Sequence, residues 1–177
     1  IIDKQYDIII SYISNWIVPK AALVKTKLWN INFHPGPPEY PGIGCFNFAL
    51  YDSAKHYGVT AHLMEPAVDT GLIIGVKRYR VKERETVESL SLKTYVHLLG
   101  MYKNIIDSVI RNKTLPKIDE TWRRAPFKRE DLESLSKIDS KMSRQEITKR
   151  IRSTYCPGKP PPFIELYEKR FEYNPER

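Results

Sequence analysis

Residues 35–42 read PGPPEYPG. Four prolines and two glycines in eight residues remove backbone donors and hold φ at several points, so neither a helix nor a central strand can run through them. Such a run forms a stiff, irregular loop. The residues just before it, WNINF at 29–33, alternate as a strand does, and His34 closes that strand. Alternate strand residues share a face, so Asn32 and His34 lie on one side, at the strand's C-terminal end.

The flanking pattern is that of an α/β chain. Upstream, YDIIISYI is a continuous apolar run of the kind buried on both faces of a sheet. PKAAL follows, with Pro19 near a helix start. Downstream, Phe46, Ala49, Leu50, Ala54 and Tyr57 recur at helical spacing from Cys45 on, and Gly58 stands where a helix often ends. VTAHLMEP and LIIGVKRYRV then read as neighbouring strands joined by a turn, AVDTG, that carries Asp69. The spacing predicts a long helix over 86–111, with Thr86 and Ser89 as a weak cap rather than a capping box. Beyond it the chain turns basic, with Trp122 and Phe127 interleaved. Two shorter helical patterns at 128–137 and 143–154 lead, through CPGKPPP, to the strand-like FIELYEKRFEY. No internal repeat is visible.

Composition narrows the function classes. A chain of 177 residues, 41% hydrophobic, supports one core and a small appendage, and a net charge of +8 suits a polyanionic partner, a nucleic acid or a phosphorylated small molecule. The two cysteines, Cys45 and Cys156, lack CxxC spacing, which suggests neither a zinc site nor a disulfide framework and makes a reducing cytoplasm the simplest home. No apolar run approaches the roughly 20 residues that cross a bilayer. His56 and His97 fall on helical patterns with no cysteine or carboxylate cluster, so no metal is expected. Cys45 has no evident base to activate it. His62, in mid-strand, reads as a core or surface histidine.

The chemistry concentrates on three residues. At the carboxyl end of a strand in an open α/β sheet, where ligands bind, an amide can donate to a developing oxyanion and an imidazole can move a proton. Asp69 could orient His34. From spacing alone, Asn32 as a turn cap and His34 as a strand stop is the favoured reading, because an isolated Asn-x-His is common.

NINFHPGPPEYPG, followed after a helix by GVTAHLMEPAVDTGLII, resembles the formyltransferases that use N10-formyltetrahydrofolate. Asn32, His34, Pro35, Gly42, Gly58, Val59, Thr60, Asp69 and Gly71 match that family's motifs in order and approximate spacing, and WIVPKAAL resembles its Leu-Ile-Leu-Pro-like folate segment, with Trp16 in place of the usual Leu. The resemblance covers roughly residues 6–111. It implies a Rossmann-like α/β fold with a mainly parallel sheet, whose family pattern opens with earlier strands and helices that this chain lacks. Residues 1–111 would then be the C-terminal part of the catalytic core, and 112–177 a linker and small α+β extension.

The resemblance further implies that Asn32, His34 and Asp69 are the catalytic trio. An amine would attack the formyl carbon to give a tetrahedral intermediate, with no metal required. Folate would lie against Trp16, Ile17, Val18 and Val68. Tyr40, on the rigid loop, and Trp122 are candidate substrate contacts. Among the family's branches, HPGPPEYPG and the stretch TWRRAPFKREDLESLSKID look like the sugar N-formyltransferases, whose acceptor is a dTDP- or UDP-linked 3- or 4-amino deoxysugar of the kind built into O-antigen and lipopolysaccharide. Methionyl-tRNA and glycinamide ribonucleotide are the competing acceptors. A noncatalytic remnant or binding module is the alternative of another class; a nucleic-acid module is weaker, because the aromatics form no RNA-reading signature. The extension either closes over the nucleotide or mediates a homodimer.

Overall fold

The apolar run near the head of the chain forms a strand, β1 (Tyr6–Tyr12), as its pattern predicts. The computed structural model describes residues 4–175, so the apolar opening at 1–3 lies outside the described residues. After β1 come α1 (Lys20–Leu23), β2 (Thr26–His34), α2 (Cys45–Tyr51), β3 (His56–Leu63), β4 (Ile73–Arg80) and the long α3 (Val87–Asn112). Then follow α4 (Arg129–Ser136), β5 (Lys137–Ile138), α5 (Arg144–Thr154), β6 (Phe163–Leu166) and β7 (Lys169–Glu172).

The main sheet has the order β1-β2-β3-β4. Only β1 and β2 run parallel; β3 is antiparallel to both β2 and β4, so over the described residues this α/β sheet is mixed rather than mainly parallel. The connections explain it. A parallel return needs a crossover along the length of the sheet, whereas α2 spans only about 10 Å and brings the chain back near the end it left. The short β3–β4 turn allows only an antiparallel pair.

Two local expectations are corrected. The helix from Cys45 stops at Tyr51, because Asp52 caps it and Ser53, at φ 54°, turns the chain back; Tyr57 and Gly58 belong to β3 and cap no helix. Thr86 and Ser89 do form a capping box. Ser89 N donates to Thr86 Oγ1 at 3.1 Å and Thr86 N to Ser89 Oγ at 2.9 Å, the serine hydroxyl serving where Glu or Gln is usual.

The period of two in the strands decides what lies where. Ile31 and Phe33 of β2, Val59 and Ala61 of β3, and Ile74 of β4 form a fully buried core with Leu98, Met101, Ile105 and Val109 of α3. Burying each such side chain contributes about 1.5–3 kcal/mol. The intervening residues, Asn32 and His34 on β2 and Thr60 and His62 on β3, are thereby turned to the opposite face.

The C-terminal part is docked on this core. A second sheet, β5-β6-β7, pairs β5 parallel and β7 antiparallel to β6. Helix α5 lies on α2, where Asn47 Nδ2 donates to Ser153 O at 2.7 Å and Tyr51 OH to Glu146 Oε1 at 2.8 Å. Phe48, Phe127 and Leu135 share a small apolar cluster, with the rings of Phe48 and Phe127 stacked at 3.6 Å.

Candidate active site

Strand pairing assembles the site. Asn32 lies directly opposite His62, and His34 opposite Thr60, in the β2–β3 register. Directly opposed residues present their side chains on the same face, so Asn32, His34, Thr60 and His62 form a two-by-two polar patch on a sheet whose other face is apolar. Thr60 is spent on structure: its hydroxyl donates to Gly36 O at 2.7 Å and holds the proline-rich loop down.

Asp69 enters this patch from the turn between β3 and β4. Its φ of 48° is left-handed, a conformation that Asp tolerates better than most residues. The turn is possible only because Gly71 approaches Leu63 so closely that a Cβ there would stand 1.8 Å from the carbonyl oxygen. Asp69 Oδ2 accepts from Gly42 N at 2.7 Å and stands 3.2 Å from His34 Nδ1; its Oδ1 stands 3.1 Å from His62 Nε2 and 3.5 Å from Asn32 Nδ2. Gly42 aims its N–H inward at φ 85°.

The electrostatics follow from burial and these donors. His34, His62 and Asp69 are 5%, 2% and 5% exposed. Burial by itself would raise the Asp69 carboxyl, but the His34 charge, the His62 hydrogen bond and the Gly42 N–H more than offset it and bring it down to about 2. The His34 pKa is lowered, because burial disfavours the imidazolium more than Asp69 and the Tyr40 carbonyl favour it. His34 Nε2 lies 3.0 Å from Tyr40 O and Nδ1 lies 3.2 Å from Asp69 Oδ2; both oxygens only accept, so the imidazolium serves both, whereas the neutral ring, with one proton, donates to one of them.

A strap of chain after α3 covers the patch. Trp122 donates its indole N–H to Gly71 O at 2.8 Å and sets its ring perpendicular to both imidazoles, 6.0 Å from His34 and 5.1 Å from His62. Arg123 N donates to Pro38 O and Phe127 N to Pro41 O, both at 3.0 Å, so the strap is stitched to the proline-rich loop.

The structure brings Asn32, His34, Asp69 and Trp122 together, as the sequence suggests. Tyr40 contributes its carbonyl, while its hydroxyl donates to Asp52 at 3.2 Å. Trp16 and Ile17 are exposed on the segment that leaves β1, at the same sheet edge where parallel β2 ends. Val68 is exposed beside Asp69, whereas Val18 is buried with Ala22 and Leu23. His62 belongs to the site rather than to a generic core. The sequence signal that could have found it is its spacing of seven from Asp69 within one hairpin, but its place beside Asn32 depends on register.

Among the described residues no group of three or more His, Cys, Asp and Glu side chains is placed to hold a metal ion. No helix among them is long and apolar enough to cross a membrane. Cys45 is buried, and burial pushes its thiol up to about 12, which suits a packing role rather than a nucleophile.

The sequence pattern of the formyl transferase family matches residues 3–98, from before β1 into α3. The chain belongs to the formyl transferase family. Relatives within this formyl transferase group include a methionyl-tRNA formyltransferase of Thermodesulfovibrio yellowstonii, 27% identical over 157 residues, covering 87% of this chain and 49% of that protein. A GDP-perosamine N-formyltransferase of Brucella melitensis is 25% identical over 161 residues, covering 90% of this chain and 61% of that protein. The chain thus spans less than two thirds of either relative. The crystal structure of a 4-N formyltransferase from Francisella tularensis superposes with a TM-score of 0.81 at 19% identity, covering 94% of this chain and 69% of that one, a likeness of fold. The formyl transferase fold, Rossmann-like and α/β, is therefore the architecture of this chain.

Proposed function

We propose that this chain carries the chemical centre for transfer of a formyl group from N10-formyltetrahydrofolate to the amine of a nucleotide-linked amino sugar. One observation supports the reading most: a half-buried amide, Asn32, stands beside a buried imidazole–carboxylate pair, His34 and Asp69, at the end of a strand. That set can hold a developing negative oxygen and move a proton within one patch.

In the reaction a bond forms between the acceptor nitrogen and the formyl carbon, and the bond from that carbon to N10 breaks. One proton leaves the amine and one arrives on N10. Asn32 Nδ2 is the donor to the formyl oxygen as negative charge builds there. Neutral His34 carries its single proton on Nδ1, in a hydrogen bond donated to Asp69. It takes the amine's proton at Nε2 as the amine displaces the Tyr40 carbonyl, and it passes a proton on to N10, while Asp69 holds the ring and stabilises the imidazolium formed on the way. The exposed apolar side chains of Trp16, Ile17 and Val68 suit the flat ring of the folate, with Val18 offering backbone groups. Trp122 and the Tyr40 loop stand on the acceptor side.

For the acceptor, the support is the kinship to a GDP-perosamine N-formyltransferase and the fold shared with a 4-N formyltransferase. The kinship to a methionyl-tRNA formyltransferase favours a second acceptor. Incubating the intact protein with N10-formyltetrahydrofolate and GDP-, dTDP- and UDP-linked amino sugars, with methionyl-tRNA and glycinamide ribonucleotide alongside, decides between them. Release of tetrahydrofolate with one sugar, lost in Asn32→Ala, is the expected result. Formylation of only the tRNA or the ribonucleotide would overturn the acceptor, and no turnover with any would overturn the enzyme reading.

A further inference from the structure

His62 and Asn32 stand face to face, and their hydrogen-bonding capacities do not fit in every protonation state. His62 Nδ1 lies 2.8 Å from Leu63 O, so that nitrogen carries a proton. His62 Nε2 lies 3.0 Å from Asn32 Nδ2 and 3.1 Å from Asp69 Oδ1. An amide NH2 can point at Nε2 only when Nε2 has no proton. In that arrangement Asn32 spends its donor on His62 and, at 3.5 Å, on Asp69, and presents its carbonyl oxygen outward. A proton on Nε2 reverses the fit. The N–H then donates to Asp69 Oδ1 and to the amide oxygen of a rotated Asn32, whose NH2 is turned out of the patch.

We infer that His62 is a positioning residue that sets the direction of the Asn32 amide through the proton on Nε2, turning the NH2 toward the formyl oxygen only when that proton is present. The inference rests on the formyl-transfer reading above for its catalytic consequence, but the coupling between the two side chains stands on geometry alone. The titratable groups facing His62 are Asp69, from the β3–β4 turn, and His34, from β2; Trp122, against its ring, is neutral. Transfer therefore needs a donor at the place of Nε2, and a side chain without one there leaves the Asn32 NH2 turned into the patch.

His62→Gln separates the roles. The Gln amide reaches the place of Nε2, and the adjacent carboxylate of Asp69 selects its NH2 for that side, so it donates to Asn32 Oδ1 at every pH. Turnover in this variant is expected within about threefold of the wild-type maximum, whereas His62→Leu loses about 100-fold, the scale of one missing oxyanion donor. A second measurement needs no substrate and no variant. In the wild-type protein, the histidine ring 15N signals of His62 and the side-chain NH2 signals of Asn32 are followed against pH, and both are expected to move in one transition. An Asn32 amide indifferent to the His62 transition, or a His62→Leu turnover equal to that of His62→Gln, overturns the inference while leaving formyl transfer intact. Absence of transfer in the wild type would instead remove the catalytic reading and leave the coupling to be judged by the spectra.

Discussion

The indole N–H of Trp122 donates to the carbonyl of Gly71 at 2.8 Å, tying the strap after α3 to the turn that presents Asp69. The same ring closes over the imidazoles of His34 and His62. Trp122→Phe removes the bond and keeps most of the cover. Turnover should fall about tenfold with a melting temperature within a few degrees of wild type, because small displacements of catalytic groups cost rate before they cost stability. Steady-state kinetics and a thermal melt check it, and wild-type turnover in this variant would make the strap a passive cover.

Asn32→Ala tests the oxyanion role. The expected loss is about 100- to 1,000-fold in kcat with KM little changed, since the amide is used chiefly when charge develops. An equal rise in KM would place Asn32 in ground-state binding instead.

The Asp69 carboxyl, at about 2 when folded against an ordinary value of 3.8, makes stability depend on pH. Between those values the unfolded chain binds more protons, so stability is fully present above the unfolded value and is lost as pH falls toward the folded one, by roughly 2 kcal/mol. The lowered His34 adds a loss in the same direction, beginning below its ordinary value of 6.5. Urea melts from pH 7 down to pH 2 should show both slopes, and Asp69→Asn should flatten the lower one.

Gly71→Ala should be among the most damaging single changes. A Cβ placed 1.8 Å from the Leu63 carbonyl forces the turn open, displacing Asp69 and the acceptor of Trp122 together. A destabilisation of about 3 kcal/mol or more is expected, read as a lower urea midpoint with loss of activity. An unchanged midpoint would mean the turn relaxes freely.

Thiol chemistry offers a check on burial. Burial raises Cys45 to about 12 and also raises half-buried Cys156, so iodoacetamide at neutral pH should label the folded protein slowly, Cys156 ahead of Cys45, with no loss of activity from Cys45. Rapid inactivation through Cys45 would contradict its packing role.

Much of this was legible in the chain because the governing rules are local. Four prolines end a strand wherever they occur, alternation puts Asn32 and His34 on one face and Phe33 on the other, and an Asp-x-Gly turn between two strand patterns is recognisable in isolation. The helical periods that became α3, α4 and α5 were equally readable. Where local signals competed, the reading failed. The apolar spacing through Tyr57 extended α2 into what is β3, and a serine at the third helical position did not announce a capping box.

What the chain alone left open is a matter of which distant segments meet. His62 stands beside Asn32 because β2 and β3 pair antiparallel in that register; a shift by one residue would turn it to the α3 side. The mixed direction of the sheet came from how short connections return the chain. Trp122 reaches the site 51 residues beyond the carbonyl it binds, along a strap whose path is set by loops it stitches together. Periodicity fixes the face a side chain takes within its own strand, but register and long-range approach depend on packing summed over the whole core, and it is there that Asn32, His34, His62 and Asp69 became a single site.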